Sequence, residues 1–324
     1  MEGPRPPFEH ELASFVSFLS NQLRPDVTWS IAEEYPLAIE NANLNNIRVI
    51  KSKSGDTFLS AAVMKPQIMK SPAGLFKMAA IGSVVTDPSV RNQGLSKQVL
   101  DECLAAATAH GCDFAVLWTH LYDFYRKIGI ELAGCEVALT NDQPWTEETH
   151  QLKLLTSPNI DPEAILRLYS QHSSGTVRTV EDIRKFLKIP NSKVYTAWDE
   201  TGKMQAYAVE GKGVDLNGYI HEWGGGVSKL LPLLRHIRIA QDRPITVLTP
   251  GTAMNLVRQL KERGASSFEG ILGMIRLLNT PNVLFKIKKY TRALGFEGVI
   301  LEKRDGKIYL GYREQVYSTD SESD

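Results

Sequence analysis

The stretch SVVTDPSVRNQGLSKQVL, from Ser83 to Leu100, constrains the fold more than any other part of this chain. An apolar run ends at Asp87-Pro88 and a polar turn follows. Val99, Leu100, Cys103, Leu104 and Ala107 then recur as one helical stripe, which Gly111 closes as a left-handed C-terminal residue would. Beyond it, Phe114 to Trp118 is a short continuous apolar run of the kind a strand buried on both faces shows. A strand that turns directly into a helix, followed by a buried strand, makes this an α/β chain with a mixed sheet.

The pattern before the junction predicts a helix from Glu11 to Leu23, stopped by Pro25, and a second from Ser30 to Glu40 that opens on a capping box of Ser30 and Glu33. Strands are expected at Ile47 to Ile50, Phe58 to Met64 and Met78 to Val85. A brief helix, Leu121 to Lys127, stops at Gly129, and a strand through Val137 completes a unit of residues 1–140. The polar segment that begins at Asn141 reads as a linker over 141–150.

The second half repeats this order. Helices are expected at Pro162 to Gln171 and Val180 to Leu187, then strands at Val194 to Trp198 and Met204 to Val209 about a turn at Glu200 to Lys203. Aligning Gly55 with Gly202 overlays RVIKSKSGDTFLSAAV on YTAWDETGKMQAYAVE, which is how an old duplication looks. Gly224-Gly225-Gly226 leads into a helix through Ile237, with Pro232 tolerable only in its first turn. A strand at Ile245 to Leu248, a helix at Ala253 to Arg263 and a strand at Gly273 to Leu278 close a unit of residues 151–279. Residues 280–317 read as a helix and a hairpin around Asp305-Gly306, and the acidic end, 318–324, is expected to be disordered. Two units in 324 residues suit the rough norm of about 150 residues per domain.

Composition excludes several function classes. Lys plus Arg and Asp plus Glu number 37 each, so no chain-wide basic field invites nucleic acid or anionic lipid. No stretch approaches the roughly 18 apolar residues of a membrane span, and the first residues lack the basic start and apolar run of an export signal. Cys103, Cys112 and Cys135 are odd in number and lack metal spacing, and the seven histidines show no HExxH pattern. The expectation is a soluble cytoplasmic protein with no metal, no nucleic-acid partner and no membrane partner; the oligomeric state stays open.

The turn Arg91-Asn92-Gln93-Gly94-Leu95-Ser96 leaves several backbone N–H groups without helical partners at the positive end of a helix dipole, an arrangement that suits a pyrophosphate. Gly94 permits a positive φ and clears space for the anion, although an ordinary loop glycine would look the same. VVTDPSVRNQGLS (84–96) and DFYRKIGIEL (123–132), with FAVLWT between them, resemble the two-part signature of the GCN5-related N-acetyltransferase (GNAT) superfamily. That signature is a strand ending in V-x-D-P, an (R/Q)-x-x-G-x-(G/A/S) turn opening a helix, and a short F-Y helix further on. Ile130 stands where the family usually has an aromatic residue. The doubling, together with LGMIRLLNTPNVLFKIKKY (272–290), resembles the bacterial tandem acetyltransferases of the enhanced-intracellular-survival type, with a shortened C-terminal region.

The resemblance implies two tandem GNAT-like domains, the second degenerate, and an N-acetyltransferase that moves an acetyl group from acetyl-CoA to a primary amine of a small molecule, peptide or protein. The alternative is a non-catalytic CoA-binding regulatory protein that has kept the fold. Backbone groups of Val84, Val85 and Thr86 would line the pantetheine arm. Those of Asn92, Gln93, Gly94, Leu95, Ser96 and Lys97 would hold the pyrophosphate, with Arg91 at the first position of the turn. Tyr125 would be the general acid for the departing thiolate, with Tyr122 as its competitor and core packing as the plainer role for either ring. His120 at the strand end suits a structural hydrogen bond better than a ligand contact. Ser83 occupies the position where many relatives carry a glutamate base. Glu33, Glu34 and Glu40 would attract a cationic acceptor or merely form a solvated face, and laying IHEWGG on IGSVVT puts Glu222 opposite Ser83 in the second copy.

Overall fold

The computed structural model describes residues 1–146, 151–156 and 160–322. Residues 147–150 of the expected linker and 323–324 of the expected tail lie outside that description. Strand β1 (Glu2–Arg5) precedes helices α1 (Leu12–Leu23) and α2 (Ile31–Glu34). Ser30 and Glu33 form the expected capping box, but α2 is a single turn and not a helix to Glu40. The reason is Pro36, which has no amide to donate and disfavours helical geometry before it; Tyr35 sits at φ −125°, ψ 58°.

A meander of β2 (Ile47–Lys51), β3 (Phe58–Ser71) and β4 (Gly74–Thr86) then runs into α3 (Leu95–Ala109), β5 (Phe114–Leu117), α4 (Tyr122–Arg126) and β6 (Glu131–Ala133). The second half comprises β7 (Glu136–Asn141), β8 (Lys153–Thr156), α5 (Pro162–Tyr169), β9 (Gly175–Thr176), α6 (Val180–Phe186), β10 (Lys193–Trp198), β11 (Met204–Lys212) and β12 (Asp215–Gly225), then α7 (Val227–Gln241), β13 (Ile245–Thr249), α8 (Met254–Glu262), β14 (Ser266–Gly270) and β15 (Gly273–Leu277). Helix α9 (Thr280–Ala293) and the hairpin strands β16 (Val299–Arg304), β17 (Lys307–Tyr312) and β18 (Gln315–Thr319) end the chain.

Among the described residues, one sheet has the order β1-β2-β3-β4-β5-β15-β6, with β9 added at the tip of β3, and a second has the order β14-β7-β13-β12-β11-β10-β8. The two halves therefore exchange a strand. β15, placed in the second unit by sequence order, lies between β5 and β6 of the first sheet, pairing Met274 with Leu117 and with Leu132. β7, placed at the end of the first unit, lies between β13 and β14 of the second sheet. Burial explains the exchange. Met274 is fully buried in the first core, while Val137 and Leu139 are buried in the second.

Each face of the first sheet has its own core. Val99, Leu100, Cys103 and Leu104 of α3 meet Ala62, Met64, Ala79, Ile81, Ala115 and Leu117 on one side. Phe15 and Leu19 of α1 and Ile31 of α2 meet Ile47, Val49, Ala61, Val63 and Val85 on the other. In the second half α7 covers its sheet with Leu230, Leu231, Leu233, Leu234 and Ile237. Pro232 lies in the second turn of α7, not the first, so the Ser228 carbonyl loses its helical donor. Such a proline costs about 3 kcal/mol, and five buried side chains at about 1.5–3 kcal/mol each outweigh it.

The described part of the linker is fastened rather than free. Trp145 packs on the second core, and the carbonyls of Trp145 and Asp142 accept hydrogen bonds from Arg235 and Arg238 of α7. The expected disorder from residue 318 is likewise displaced: Ser318 and Thr319 pair in β18, and Glu322 accepts a hydrogen bond from Lys303 at 2.9 Å.

Candidate active site

β3 and β4 pair regularly except opposite Ala62. Val63 faces Gly82 and Ala61 faces Val85, so Ser83 and Val84 share one partner, and Ser83 adopts a φ of +49°. The bulge shifts side-chain alternation by one residue. Ile81 and Val84 both face the α3 core, and Val85 turns into the core under α1 and α2. A bulge also bends its strand. β4 and β5 are parallel and pair only from Met78–Phe114 to Ala80–Val116, and β4 then continues to Thr86 with one edge open.

That edge has a definite chemistry. Asp87 donates its amide to Leu59 at 2.8 Å, and the Val85 carbonyl accepts the Ser60 hydroxyl at 2.9 Å, so both residues point their backbone groups toward β3. By strand alternation the N–H and C=O groups of Val84 and Thr86 point the other way, into the gap between β4 and β5. The three expected pantetheine residues thus divide: two present backbone groups to the gap and Val85 does not. Ser60, fully buried and also bonded to Thr86 Oγ1 at 2.8 Å, pins this end of β4 and was not legible beforehand.

The turn beyond β4 is a run of unpaired amides. Asn92 and Gly94 take φ values of +63° and +77°, and Gly94 is the N-cap of α3 with no side-chain cap. The first bond of the helix runs from the Gln98 amide to the Gly94 carbonyl; among the described residues no backbone acceptor meets the amides from Arg91 through Lys97. Arg91, Asn92, Gln93, Gly94 and Lys97 are exposed, Ser96 is half-buried, and Leu95 is buried in the α3 core as the anchor of the turn. Arg91 reaches back toward the Thr86 carbonyl at 3.4 Å, and Lys97 pairs with Asp101. A Cβ built on Gly94 meets nothing within 4 Å, so the space above these amides is open. Adjacent amides beside a left-handed residue at a helix N-terminus make an anion-binding concavity.

Tyr125 on α4 is 6% exposed, packs in the α3 core and lies edge-to-face on Phe124. Burial alone raises its hydroxyl above the ordinary value of 10.0, so the phenol is protonated at neutral pH. Tyr122, at the start of α4, is 42% exposed. The far end of the helix is held from the other half of the chain: Arg276 of β15 donates to the Ile128 carbonyl at 2.7 Å and lies against Gly129. Nothing in the sequence near Arg276 signals that contact. His120 is exposed beyond β5.

The three candidate acids of the N-terminal region are committed elsewhere. Glu33 caps its own helix by accepting the Ser30 amide at 2.8 Å. Glu34 is fully buried between Arg24 and Trp29, bonded at 2.8 and 2.7 Å. Glu40 pairs across the molecule with Lys185 at 2.6 Å.

The second sheet repeats the geometry without the opening. β12 and β13 pair in parallel only at Tyr219–Thr246 and Ile220–Val247, and the Trp223 indole then spans the gap, donating to the Leu248 carbonyl at 3.2 Å. His172 stands edge-on to that indole at 4.8 Å and bonds the Trp223 carbonyl. Glu222 accepts from Arg178 at 2.8 Å and from Tyr207 at 3.0 Å, and Arg178 lies over the Tyr169 ring. Glu222→Gln should cost about 1–3 kcal/mol in denaturant unfolding, because Arg178 and Tyr207 lose a charged acceptor.

Residues 28–133 match the family model of the acetyltransferase (GNAT) domain. Comparison with curated proteins finds no match. Among solved structures, a GCN5-related N-acetyltransferase from Anabaena variabilis is similar over 97% of this chain and 84% of its own, with a TM-score of 0.67 at 16% identity. A probable N-acyltransferase from Enterococcus faecalis covers 87% of this chain and 74% of its own, with a TM-score of 0.66 and 16% identity. Eis1 from Mycobacterium abscessus matches across 100% of this chain and 86% of its own, with a TM-score of 0.61 and 12% identity. At these identities the likeness is one of fold, and it extends over both halves. Among the described residues no cluster of metal-binding side chains occurs and no helix is long and apolar enough to cross a membrane.

Proposed function

Because residues 28–133 match the family model of the acetyltransferase (GNAT) domain, we propose that the first half of this chain binds acetyl-CoA and passes the acetyl group to a primary amine. The observation that carries the reading is the open edge of β4 running straight into the unpaired amides of Arg91 to Lys97. The pantetheine arm adds to β4 as an extra strand, bonded by Val84 and Thr86, and the pyrophosphate lies on the amides of Asn92 to Lys97 beside the Arg91 charge. The neutral amine attacks the thioester carbonyl, the carbonyl oxygen takes the negative charge near a β4 amide, and the C–S bond breaks as the tetrahedral species collapses. Tyr125 then gives its proton to the thiolate, the N-protonated amide releases its extra proton to water, and the tyrosinate takes a proton back from solvent.

Ser83 lies at the bulge, where many relatives carry a glutamate base, and in this reading water takes the proton of the ammonium before attack. The second half acts as scaffold: Trp223 fills its gap, and β15 with Arg276 completes the first sheet and secures α4. The free cysteines, two of them buried, suit the reducing cytoplasm.

Calorimetry with CoA tests the assignment, and thiol release across a panel of amines separates an enzyme from a CoA-binding regulator. One equivalent of CoA should bind per chain. Gly94→Glu puts a carboxylate into the open space over the amides and should weaken CoA at least about 100-fold, since an unpaired like charge at an anion site costs several kcal/mol. Two equal sites, or normal affinity in this variant, would sink the assignment.

A further inference from the structure

The acceptor side of the gap is set by the alternation of β5. Ala115 and Leu117 belong to the α3 core, so Phe114, Val116 and Trp118 present to the opposite face of the sheet. β15 repeats the pattern, with Met274 toward α3 and Gly273 on the face of Trp118. The inner part of this apolar row is covered: Phe114 lies beside Phe76, and Lys286 of α9 sits over the Phe76 ring. Its outer end is bare. Trp118 is 61% exposed.

The indole is nonetheless seated. A Cβ at Gly273 would come within 2.9 Å of the Leu117 carbonyl and 3.3 Å of the indole Nε1, so glycine gives the strand and the ring their close approach. Trp118 follows directly on the last residue of β5, at the open end of the gap, on the face away from the helix whose N-terminus takes the phosphates. The other face of β4 and β5 is filled by the α3 core, which leaves the face of Trp118 for an acceptor to approach the gap. Of the acids that could draw a polycation toward it, Glu33, Glu34 and Glu40 are bound up in a cap and two ion pairs, and Asp123 of α4 shares Arg126 with Glu131.

Resting on the acetyl-CoA reading above, we infer that the acceptor is an amine carried on an aromatic or extended apolar body, which packs on the Trp118 indole while its nitrogen reaches the thioester. Phenethylamine and putrescine are the probes: each is titrated by calorimetry into CoA-saturated protein and assayed by thiol release from acetyl-CoA. Phenethylamine should be favoured at least about tenfold in both readouts, the usual worth of one apolar contact surface. Trp118→Ala should bring the ratio to within about twofold, and Trp118→Phe, which keeps an aromatic face, should restore most of it. A wild-type ratio near one, a preference for putrescine, or an unchanged ratio in Trp118→Ala overturns the inference. A protein that binds CoA but shows no aromatic preference loses only the acceptor class, whereas one that binds no CoA loses the acetyltransferase reading and this inference with it.

Discussion

Tyr125→Phe is expected to lower turnover by about 100- to 10,000-fold, the usual worth of a positioned general acid, while CoA affinity stays within a few-fold. The ring and its packing against Phe124 are kept in this variant, so a fall in turnover reports the hydroxyl and not the core. Tyr122→Phe is the control, because Tyr122 sits at the exposed start of the same helix. Equal or greater loss there would move the role to Tyr122, and unchanged turnover in both would remove tyrosine acid catalysis. The pH profile carries a second sign. Burial raises Tyr125 above 10.0, so its proton is present throughout the neutral range and is lost only as pH rises through that elevated value. Turnover should therefore climb with pH as the amine deprotonates, with no alkaline fall below about 10. A descending limb near pH 8 would contradict a buried phenol as the donor.

Residues 1–146 and 151–324, expressed separately, should each fail to fold, and the two fragments expressed together should co-purify in equal amounts. The first fragment lacks β15, so β5 and β6 lose their shared partner and the core loses Met274. The second lacks β7, so β13 and β14 lose theirs, along with Val137 and Leu139. Burying one such side chain is worth about 1.5–3 kcal/mol. One or two of them, with a strand's hydrogen bonds at about 0.5–1.5 kcal/mol each, remove a large part of the roughly 5–15 kcal/mol by which a whole domain is stable. A soluble first fragment with cooperative unfolding and normal CoA affinity would show that the exchange is dispensable.

Local features were legible in the sequence because they depend on residues close in the chain. The capping box at Ser30, the left-handed Gly94 and Gly111, and the start of α3 follow from backbone preference, and helical periodicity placed α3, α5, α6 and α8 to within about two residues. The exchange of β7 and β15 was not legible. EVALTN and GMIRL read as strands, but alternation says nothing about which edge a strand will join. The apolar run Phe114 to Trp118 reads as a strand buried on both faces, but the ladder with β4 stops at Val116, so the indole emerges where the sheet divides. The three acids near α1 and α2 looked free because Lys185 and Arg24, which hold Glu40 and Glu34, stand 145 and 10 residues away.

The late arrival of β15 has a consequence for the making of the protein. β5 leaves the ribosome about 150 residues ahead of the strand that will lie beside it, an interval of roughly 8–30 s at ordinary synthesis rates. Throughout that time the edge formed by Val116 and Leu117 is unpaired and Ile128 waits for the arginine that ties down the tyrosine helix. A nascent chain therefore holds every residue of the Gly94 turn long before it has a gap of fixed width. The first sheet closes only after the strand ending at residue 277 has been made, so a ribosome that stalls in the second half releases a product with an exposed strand edge.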